Sequence, residues 1–319
     1  MQSVRRGLLQ PILQAIPLLI LITVICFALI NLAPYDAVDA ITTPDMSAAE
    51  IEMRREAYGL NDPVYVQYFR WLNNILHGNF GYSLLSHTSI KYDLMIRIPN
   101  TAMLVLASYA TAYVLAIVLG LVAGSYKNRW PDKIIDGLCS IGIATPTFWF
   151  AMLLIYIFSF RMKIFPIMGM HTVGDNSLGD LLWHFFLPYI TLVVGFLPDL
   201  TRFVRGSTIG QMKEDYVVVQ QAFGAKKVQI LFHHIIRNVM IPMVTKLGMA
   251  LPQLVTGAVV TETVFTWPGI GNYFVSAVKG LDYPIVMAIL VLSSTLVILG
   301  NLLSDILYCV VDPRIKSMQ

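Results

Sequence analysis

The sequence predicts an all-α polytopic membrane protein with six transmembrane helices. The chain has 319 residues, of which 56% are hydrophobic and only 13% are charged, and its mean hydropathy is +0.67. Soluble domains carry about 25% charged residues, so this chain has roughly half the usual charge. The hydrophobic residues are concentrated in long apolar runs that are separated by shorter polar segments. As a helix, each run is long enough to span about 30 Å of hydrocarbon.

The composition also excludes several classes of protein. A net charge of +3 without a basic stripe does not predict nucleic-acid binding. Cys26, Cys139 and Cys309 lie singly inside apolar runs, which is typical of packing residues rather than of disulfides or metal ligands.

The first span is predicted from Pro11 to Ala33, so residues 1–33 comprise an amino-terminal tail and one helix. Arg5 and Arg6 precede this apolar run, which is too long for the core of a secretory signal. We therefore expect a helix that stays in the membrane.

Residues 34–98 are predicted to form a sizeable extracytoplasmic region. Part of it is predicted to form a helix with one apolar face, whose members are Tyr65, Tyr68, Phe69, Leu72, Ile75 and Leu76. A structural cap over the membrane domain is favoured over direct contact with a substrate, and the sequence leaves both interpretations open.

Residues 99–310 are predicted to form the core domain with the other five spans. These spans run approximately over 99–125, 135–160, 184–203, 241–264 and 283–310, and a short tail at 311–319 follows. Pro146 lies inside the third span and predicts a kink there. Ala116, Gly120 and Gly124 form a small-residue stripe in the second span that would let another helix approach closely.

Charged residues near the fourth span predict a local ion pair, and the distribution of basic residues along the chain predicts the topology. Asp199, Arg202 and Arg205 are spaced three apart, so a pair within one helix is the first interpretation. Basic residues are more numerous in the two tails, the 126–134 turn and the 202–246 region than in the opposite loops. The positive-inside rule then places both termini and the 207–242 loop in the cytoplasm.

The 207–242 loop is polar, helix-prone and interrupted once, at Gly224-Ala225. Met212, Tyr216, Val219 and Phe223 recur with helical spacing and predict one shared face. A helix, a tight turn and a second helix between two spans could insert into a partner protein. They could equally lie on lipid headgroups as an amphipathic segment, and the pattern alone does not choose.

Other segments supply candidate residues without a recognisable catalytic pattern. Thr266 to Asn272 is an aromatic, Gly/Pro-rich turn whose Trp267 could anchor at a membrane interface. Glu262 and Asp305 are acidic residues in or near spans, which could serve a transport pathway or a structural pairing. The adjacent His233 and His234 point about 100° apart on a helix and do not predict a metal site. The sequence has no GxxxxGK[ST] loop, so it predicts no ATP site on this chain.

The 207–242 loop resembles the EAA loop of ABC-importer permeases of the peptide/nickel class. The resemblance rests on Asp215-Tyr216-Val217, on Gly224 at the turn, and on His234, Arg237-Asn238 and Pro242 at later offsets. It extends from Arg5-Arg6 to Asp312-Pro313-Arg314, and the Trp267-Pro268-Gly269 turn is its other specific part. The stretch 219–223 departs from the family, which usually has Ala-rich, basic sequence there.

The resemblance implies a type I ABC importer permease in the bacterial cytoplasmic membrane. It implies a homologous second permease subunit, two cytoplasmic ATPase subunits that bind ATP and Mg, and an extracytoplasmic substrate-binding protein. It implies no cofactor on this chain. Carried over residue by residue, it assigns ATPase coupling to Asp215, Tyr216, Gln220, Gln221, Ala222, Gly224, Ala225, Arg237 and Asn238.

The resemblance also suggests further candidate sites and a substrate class. Docking of the binding protein would involve Trp267, Pro268, Gly269 and Gly271, and pathway candidates are Glu262 and Asp199. Peptides are the expected substrates, with nickel, a metal chelate or glutathione as alternatives. An ATP-independent secondary transporter would be expected to show an internal repeat, and a membrane enzyme would need a nucleophile or metal constellation. The sequence shows no convincing example of either.

Overall fold

The computed structural model describes residues 16–25, 27–28, 31–32, 38, 42, 45–248, 250–256 and 258–311. Most of these residues are helical, and the described part contains one isolated antiparallel bridge, between Tyr82 and Ser89. The predicted amino-terminal tail and most of the carboxyl-terminal tail at 311–319 lie outside the described residues. The predicted all-α class is confirmed.

The first seven helices lead from the first apolar run to the middle of the chain. They are α1 (Ile16–Ile25), α2 (Ala48–Ala57), α3 (Val64–Leu76), α4 (Ile90–Ser125), α5 (Trp130–Ala144), α6 (Thr147–Leu154, continued by a π-helical turn at Ile155–Arg161) and α7 (Leu178–Gln211).

The second half contains seven more helices. They are α8 (Asp215–Ala222), α9 (Lys227–Ile230, continued by a π-helical turn at Leu231–Ile235), α10 (Ile236–Gly248), α11 (Ala250–Thr256), α12 (Val259–Val264), α13 (Ile270–Lys279) and α14 (Tyr283–Val311).

Three helices of the described chain are long and apolar enough to cross a membrane: α4, α7 and α14. Two bent pairs bring the number to five if each pair is one span: α5 with α6 and its π-helical turn, and 227–248 with 250–264. The predicted first span is described only in part, as the short apolar helix α1. The multi-pass architecture is confirmed, and the count of six stays a prediction.

The helices α4 and α7 form the longest helix pair and the centre of the bundle. The predicted small-residue stripe lies at their contact: a Cβ added to Gly120 would lie 2.5 Å from Cβ of Val204, and one added to Gly124 would lie 2.5 Å from Cβ of Thr208. The close approach predicted from Ala116, Gly120 and Gly124 is therefore confirmed.

The predicted kink at Pro146 is confirmed, and the bend is large enough to divide the span into two helices. The helices on either side of Thr145-Pro146 are bent by 97°. Both Thr145 and Pro146 have extended backbone, with ψ of 117° and 132°, because a proline disfavours the helical conformation of the residue before it. The third span is therefore two helices rather than the single helix expected over 135–160.

Two spans are longer than predicted. The helix α4 begins at Ile90, so Pro99 lies inside it and does not begin it. The helix α7 begins at Leu178, where the Ser177 hydroxyl accepts a hydrogen bond from the Asp180 backbone N–H at 3.2 Å. Pro188 lies within α7 without ending it.

The predicted local ion pair of Asp199 is wrong. Arg205 pairs with Asp132 of α5, with its Nε 2.5 Å from Oδ1. Arg202 lies 3.4 Å from Asp136, also on α5. The spacing identified the charged side chains correctly but missed their partners, because the two aspartates come from a neighbouring helix that no local pattern reveals.

The helix predicted within residues 34–98 is confirmed as α3, and it lies against α1. The hydroxyl of Tyr68 is 3.0 Å from that of Thr23, and the rings of Tyr68 and Trp71 contact Phe27. Leu72 and Ile75 of its apolar face are half-buried, whereas Tyr65, Phe69 and Leu76 are exposed. The interpretation of this region as a structural cap stays a prediction.

Candidate functional site

The segment predicted as helix, turn and helix folds as an elbow, which we define as residues 215–235. The turn that ends α8 is a Schellman motif: the Ala225 N–H donates to the Gln220 carbonyl and the Gly224 N–H to the Gln221 carbonyl, each at 3.0 Å. Gly224 has a φ of +81°, which favours glycine. A Cβ at this position would meet nothing within 4 Å, so backbone conformation alone accounts for the glycine.

The elbow is attached to the bundle through buried apolar side chains and one lysine. The core cluster that includes α4 and α7 residues also contains three buried residues of the elbow, Val217, Ile230 and Ile235. The Lys227 ammonium donates to the Ser125 carbonyl at 2.5 Å and lies 3.8 Å above the centre of the Tyr126 ring. The elbow therefore contacts the end of α4.

A polar chain connects the first arm of the elbow to the helices before and after it. The Asn238 side chain donates to the Tyr216 hydroxyl at 3.2 Å, and that hydroxyl donates to Gln211 at 2.8 Å. These contacts hold the start of α8 against α10 and the end of α7.

The elbow exposes several apolar side chains. Val219 and Phe223 were predicted to share a helical face with Met212 and Tyr216; Phe223 is 86% exposed, and Val219 is also exposed. The helix turns Val217 into the core, so the buried side of α8 is not the side that carries Val219 and Phe223. The other exposed apolar residues of the elbow are Val218, Val228 and Phe232.

The predicted coupling residues divide between this surface and its support. The exposed members are Asp215, Gln221, Ala222, Gly224 and Arg237, and the half-buried ones are Tyr216, Gln220, Ala225 and Asn238. Asn238 and Tyr216 hold the elbow in place, so the geometry gives them a positioning role.

A second site, the Glu262 cluster, comprises Asn100 and Thr101 of α4, Glu262 of α12 and the turn 266–272. The Glu262 carboxylate is fully buried, and the Thr101 hydroxyl donates to it at 2.7 Å. The backbone N–H groups of Gly271 and Asn272 donate to its other oxygen at 2.7 Å and 3.2 Å. These donors satisfy the carboxylate within the chain, which supports the structural alternative for Glu262.

The glycines of the predicted docking turn are required by this carboxylate. A Cβ on Gly269 would collide with the carboxylate of Glu262, and a Cβ on Gly271 would lie 2.5 Å from the Cα of Val259. Close approach of the turn to Glu262 therefore explains both glycines.

The Trp267 side chain is fully buried, so it is not the membrane-interface anchor considered as an alternative. Its indole N–H donates to the Asn100 carbonyl at 3.1 Å, and the Asn100 side chain donates to the Pro268 carbonyl at 3.0 Å. A direct contact of this indole with a docked protein would require the turn to open.

Next to the cluster, Tyr273 extends the contact between α13 and the start of α4. Its hydroxyl donates to Asp93 at 2.9 Å, and Arg97 lies 4.3 Å above its ring. Burial, followed by the hydrogen bond to Asp93, raises the pKa of Tyr273 above its ordinary value.

The elbow and the Glu262 cluster lie near opposite ends of one helix. Ser125 contacts the elbow and Thr101 belongs to the cluster, and at 1.5 Å per residue these positions on α4 are about 36 Å apart. That distance is close to the thickness of a membrane's hydrocarbon core, about 30 Å. The two sites are thus placed to face opposite sides of a membrane.

The remaining candidates do not join either site. Asp199 and Asp305 are exposed on α7 and α14. The rings of His233 and His234 lie 5.9 Å apart, and within the described residues no group of three or more potential ligands could hold a metal ion.

Sequence reasoning missed Thr101, Asn100 and Lys227 as parts of these sites. Thr101 and Asn100 lie in an apolar helix, and only their contacts with a turn distant in sequence distinguish them. Lys227 is one of two adjacent lysines, and the sequence does not indicate which of them turns inward.

Comparisons with known proteins agree on one family. The family described as binding-protein-dependent transport system inner membrane component matches residues 116–317, and its amino-terminal companion matches residues 4–105. The oligopeptide transport system permease protein AppB of Bacillus subtilis is 38% identical over 95% of this chain and 97% of its own length. The glutathione transport system permease protein GsiC of Escherichia coli K12 is 33% identical over 97% of this chain and 98% of its own length.

Proposed function

This chain belongs to the family of binding-protein-dependent transport system inner membrane components, and on that premise we propose that it carries peptides through the bacterial cytoplasmic membrane. It is an ABC importer permease, a transport subunit rather than an enzyme. In this proposal separate ATPase subunits supply the energy, and a second permease subunit completes the pathway.

The observation that carries the proposal is the exposed apolar surface of the elbow. Phe223 lies at the tip of α8, almost entirely uncovered, beside a rigid Schellman turn. An exposed aromatic side chain on a well-fixed turn is typical of a residue that inserts into a partner. The elbow therefore docks on an ATPase subunit in the cytoplasm, and both termini lie on that side.

Force from the ATPase enters the bundle through the buried side chains of the elbow and through Lys227. When ATP closes the ATPase dimer, the elbow moves, and Val217 transmits the motion into the core while Lys227 transmits it to the end of α4. The bundle then rocks and opens toward the binding protein. ATP hydrolysis reverses the motion.

The Glu262 cluster acts as the support on the opposite side. Its hydrogen bonds join α4, α12 and α13, so this end moves as one unit. The binding protein docks on the exposed parts of this end, and the buried turn 267–271 holds those parts in position.

Peptides are the proposed substrates because one relative is named an oligopeptide permease and another a glutathione permease. Glutathione is itself a tripeptide, so both names share one chemical class. The chain does not have to bind a peptide tightly, since affinity resides in the binding protein.

Reconstituted transport tests the proposal. The complete complex in proteoliposomes is expected to take up a labelled oligopeptide when ATP is supplied to the ATPase side. Glutathione in a parallel experiment separates the two substrates. Uptake at the same rate without ATP, or without any ATPase subunit, would contradict the proposal.

A further inference from the structure

A cavity of about 630 Å³ lies between α3, the loop 79–84, the start of α14 and the residues Phe27 and Asn31 that follow α1. Its volume is within the range of small-molecule sites, about 300–1,000 Å³. The proposed transport mechanism uses none of its lining residues.

The cavity lies at the depth of the membrane rather than above it. Its lining residues Phe27 and Asn31 lie about 9 Å and 3 Å inside the predicted end of the first span at Ala33, at 1.5 Å per residue. The face of α3 that points away from the cavity is apolar and exposed at Tyr65, Phe69 and Leu76. A helix with its apolar side outward and its polar side inward is suited to the boundary between lipid headgroups and acyl chains.

The polar side of α3 forms one wall of the cavity. Arg70 and Asn74 line it on successive turns. The guanidinium of Arg70 is held in place: its Nη2 is 2.7 Å from Oδ2 of Asp62, and a Cβ on Gly59 would collide with Nη1. Since a guanidinium has five N–H donors in a fixed plane, one carboxylate leaves donors for another acceptor, and phosphate fits this geometry.

The polarity of the cavity changes with depth in one direction. On α14, Tyr283 lies at the helix start and Met287 one turn deeper; on the first span, Asn31 lies nearer the predicted end and Phe27 one turn deeper. The deeper lining residue of each pair is apolar, and the shallower one has a polar group. A ligand with a charged head and an apolar tail matches this order.

We propose that the cavity binds one phospholipid, with its phosphodiester on Arg70 and Asn74 and an acyl chain between Phe27 and Met287. The gradient of polarity favours a lipid over a peptide. A peptide has polar groups along its whole length and would place some of them in the apolar part of the cavity. The proposal does not depend on the transported substrate.

Native mass spectrometry of the delipidated complex, containing the full chain and its partner subunits, tests this site. We expect one tightly bound molecule when either dioleoylphosphatidylglycerol or dioleoylphosphatidylethanolamine is added, because both have the phosphodiester. Dioleoylglycerol lacks it and is expected to bind about tenfold more weakly, as expected for loss of a charge-assisted hydrogen bond. Inorganic phosphate is not expected to compete, since it has no apolar tail.

Three variants separate this site from other lipid positions. Arg70→Gln is expected to weaken phospholipid binding about tenfold by the same loss. Met287→Trp fills the deep end and is expected to remove the bound lipid. Lys91→Gln, which removes an exposed cation outside the cavity, is expected to leave binding unchanged.

Equal lipid retention by wild type, Arg70→Gln and Met287→Trp would overturn the proposal. Competition by inorganic phosphate alone would also overturn it, by indicating an anion site without a lipid. Displacement of the lipid by a short peptide, dependent on Arg70, would identify a peptide site instead.

Discussion

The helical elbow and the Glu262 cluster both interrupt apolar sequence and both contact α4, yet they are built in opposite ways. The elbow is attached by buried side chains such as Val217 and by Lys227, and it leaves Phe223 outside. In the Glu262 cluster, Trp267 and the Glu262 carboxylate are buried, and hydrogen bonds satisfy the carboxylate. An exposed apolar tip is suited to binding a partner protein, whereas a buried carboxylate with all its hydrogen bonds made within the chain is suited to holding helices together.

This difference leads to opposite expectations for mutation. Changes in the Glu262 cluster are expected to lower stability first and transport as a consequence. Changes at the tip of the elbow are expected to lower transport with little change in stability. The following predictions are ordered by their expected effect on the free energy of unfolding.

Glu262→Ala is expected to have the largest effect. It leaves the N–H groups of Gly271 and Asn272 and the Thr101 hydroxyl without their acceptor. At about 1–3 kcal/mol for each of these three orphaned groups, the free energy of unfolding falls by about 3–9 kcal/mol. The thermal midpoint of the purified protein and its abundance in the membrane measure this loss.

Glu262→Gln is the matched control, because it keeps the shape and one carbonyl acceptor. It is expected to lose less stability than Glu262→Ala. If the alanine variant were as stable as wild type, the cluster would not hold these helices together.

Gly224→Val is expected to be the next largest change. The φ of +81° is strained for a β-branched residue, by about 1–3 kcal/mol, although the space around it is open. A cost near 1.4 kcal/mol would lower the equilibrium constant for the correctly formed elbow about tenfold. ATP-dependent uptake should fall accordingly while the bundle stays folded.

Gly224→Asn distinguishes backbone conformation from side-chain volume. Asparagine adopts positive φ more readily than other residues, so this variant is expected to transport at close to the wild-type rate. Equal loss in both variants would indicate a steric requirement from a partner, and full activity of the valine variant would contradict the role of the elbow.

Lys227→Gln removes the attachment to α4. Loss of the hydrogen bond to Ser125 and of the contact with the Tyr126 ring is expected to cost about 1–2 kcal/mol. Faster hydrogen exchange of residues 215–235 measures the loosening. Lys226→Gln, at the neighbouring exposed lysine, should leave exchange unchanged.

Phe223→Ser is expected to have the smallest effect on stability, within about 0.5 kcal/mol, because the side chain is exposed. Its effect on ATPase binding and on uptake should nevertheless be large. Val217→Ala, at a buried position about 1.7 helical turns earlier, should show the reverse order, with a measurable loss of stability. A stability loss in Phe223→Ser equal to that in Val217→Ala would contradict the proposed division.

Patterns along the chain were sufficient for features that depend on neighbouring residues. The Gly224 turn, the large bend at Pro146 and the close approach at Gly120 follow from local backbone preference or side-chain size. These properties belong to the residue itself, so the sequence contains the information.

Features that depend on distant residues were not predictable in the same way. The spacing of Arg202 and Arg205 suggested Asp199, but the partners are on α5. The helical period of α8 was correct, but the choice of Val217 as the buried residue depends on where the bundle lies. Glu262 was recognisable as unusual, and only the fold shows that Thr101 is its donor.

Labelling of a Phe223→Cys variant in a background without the other cysteines tests the central claim most directly. A membrane-impermeant thiol reagent is expected to modify this cysteine only from the cytoplasmic side, and addition of the ATPase subunits is expected to protect it. Modification from the outside, or an unchanged rate of modification when the ATPase subunits are bound, would contradict the account.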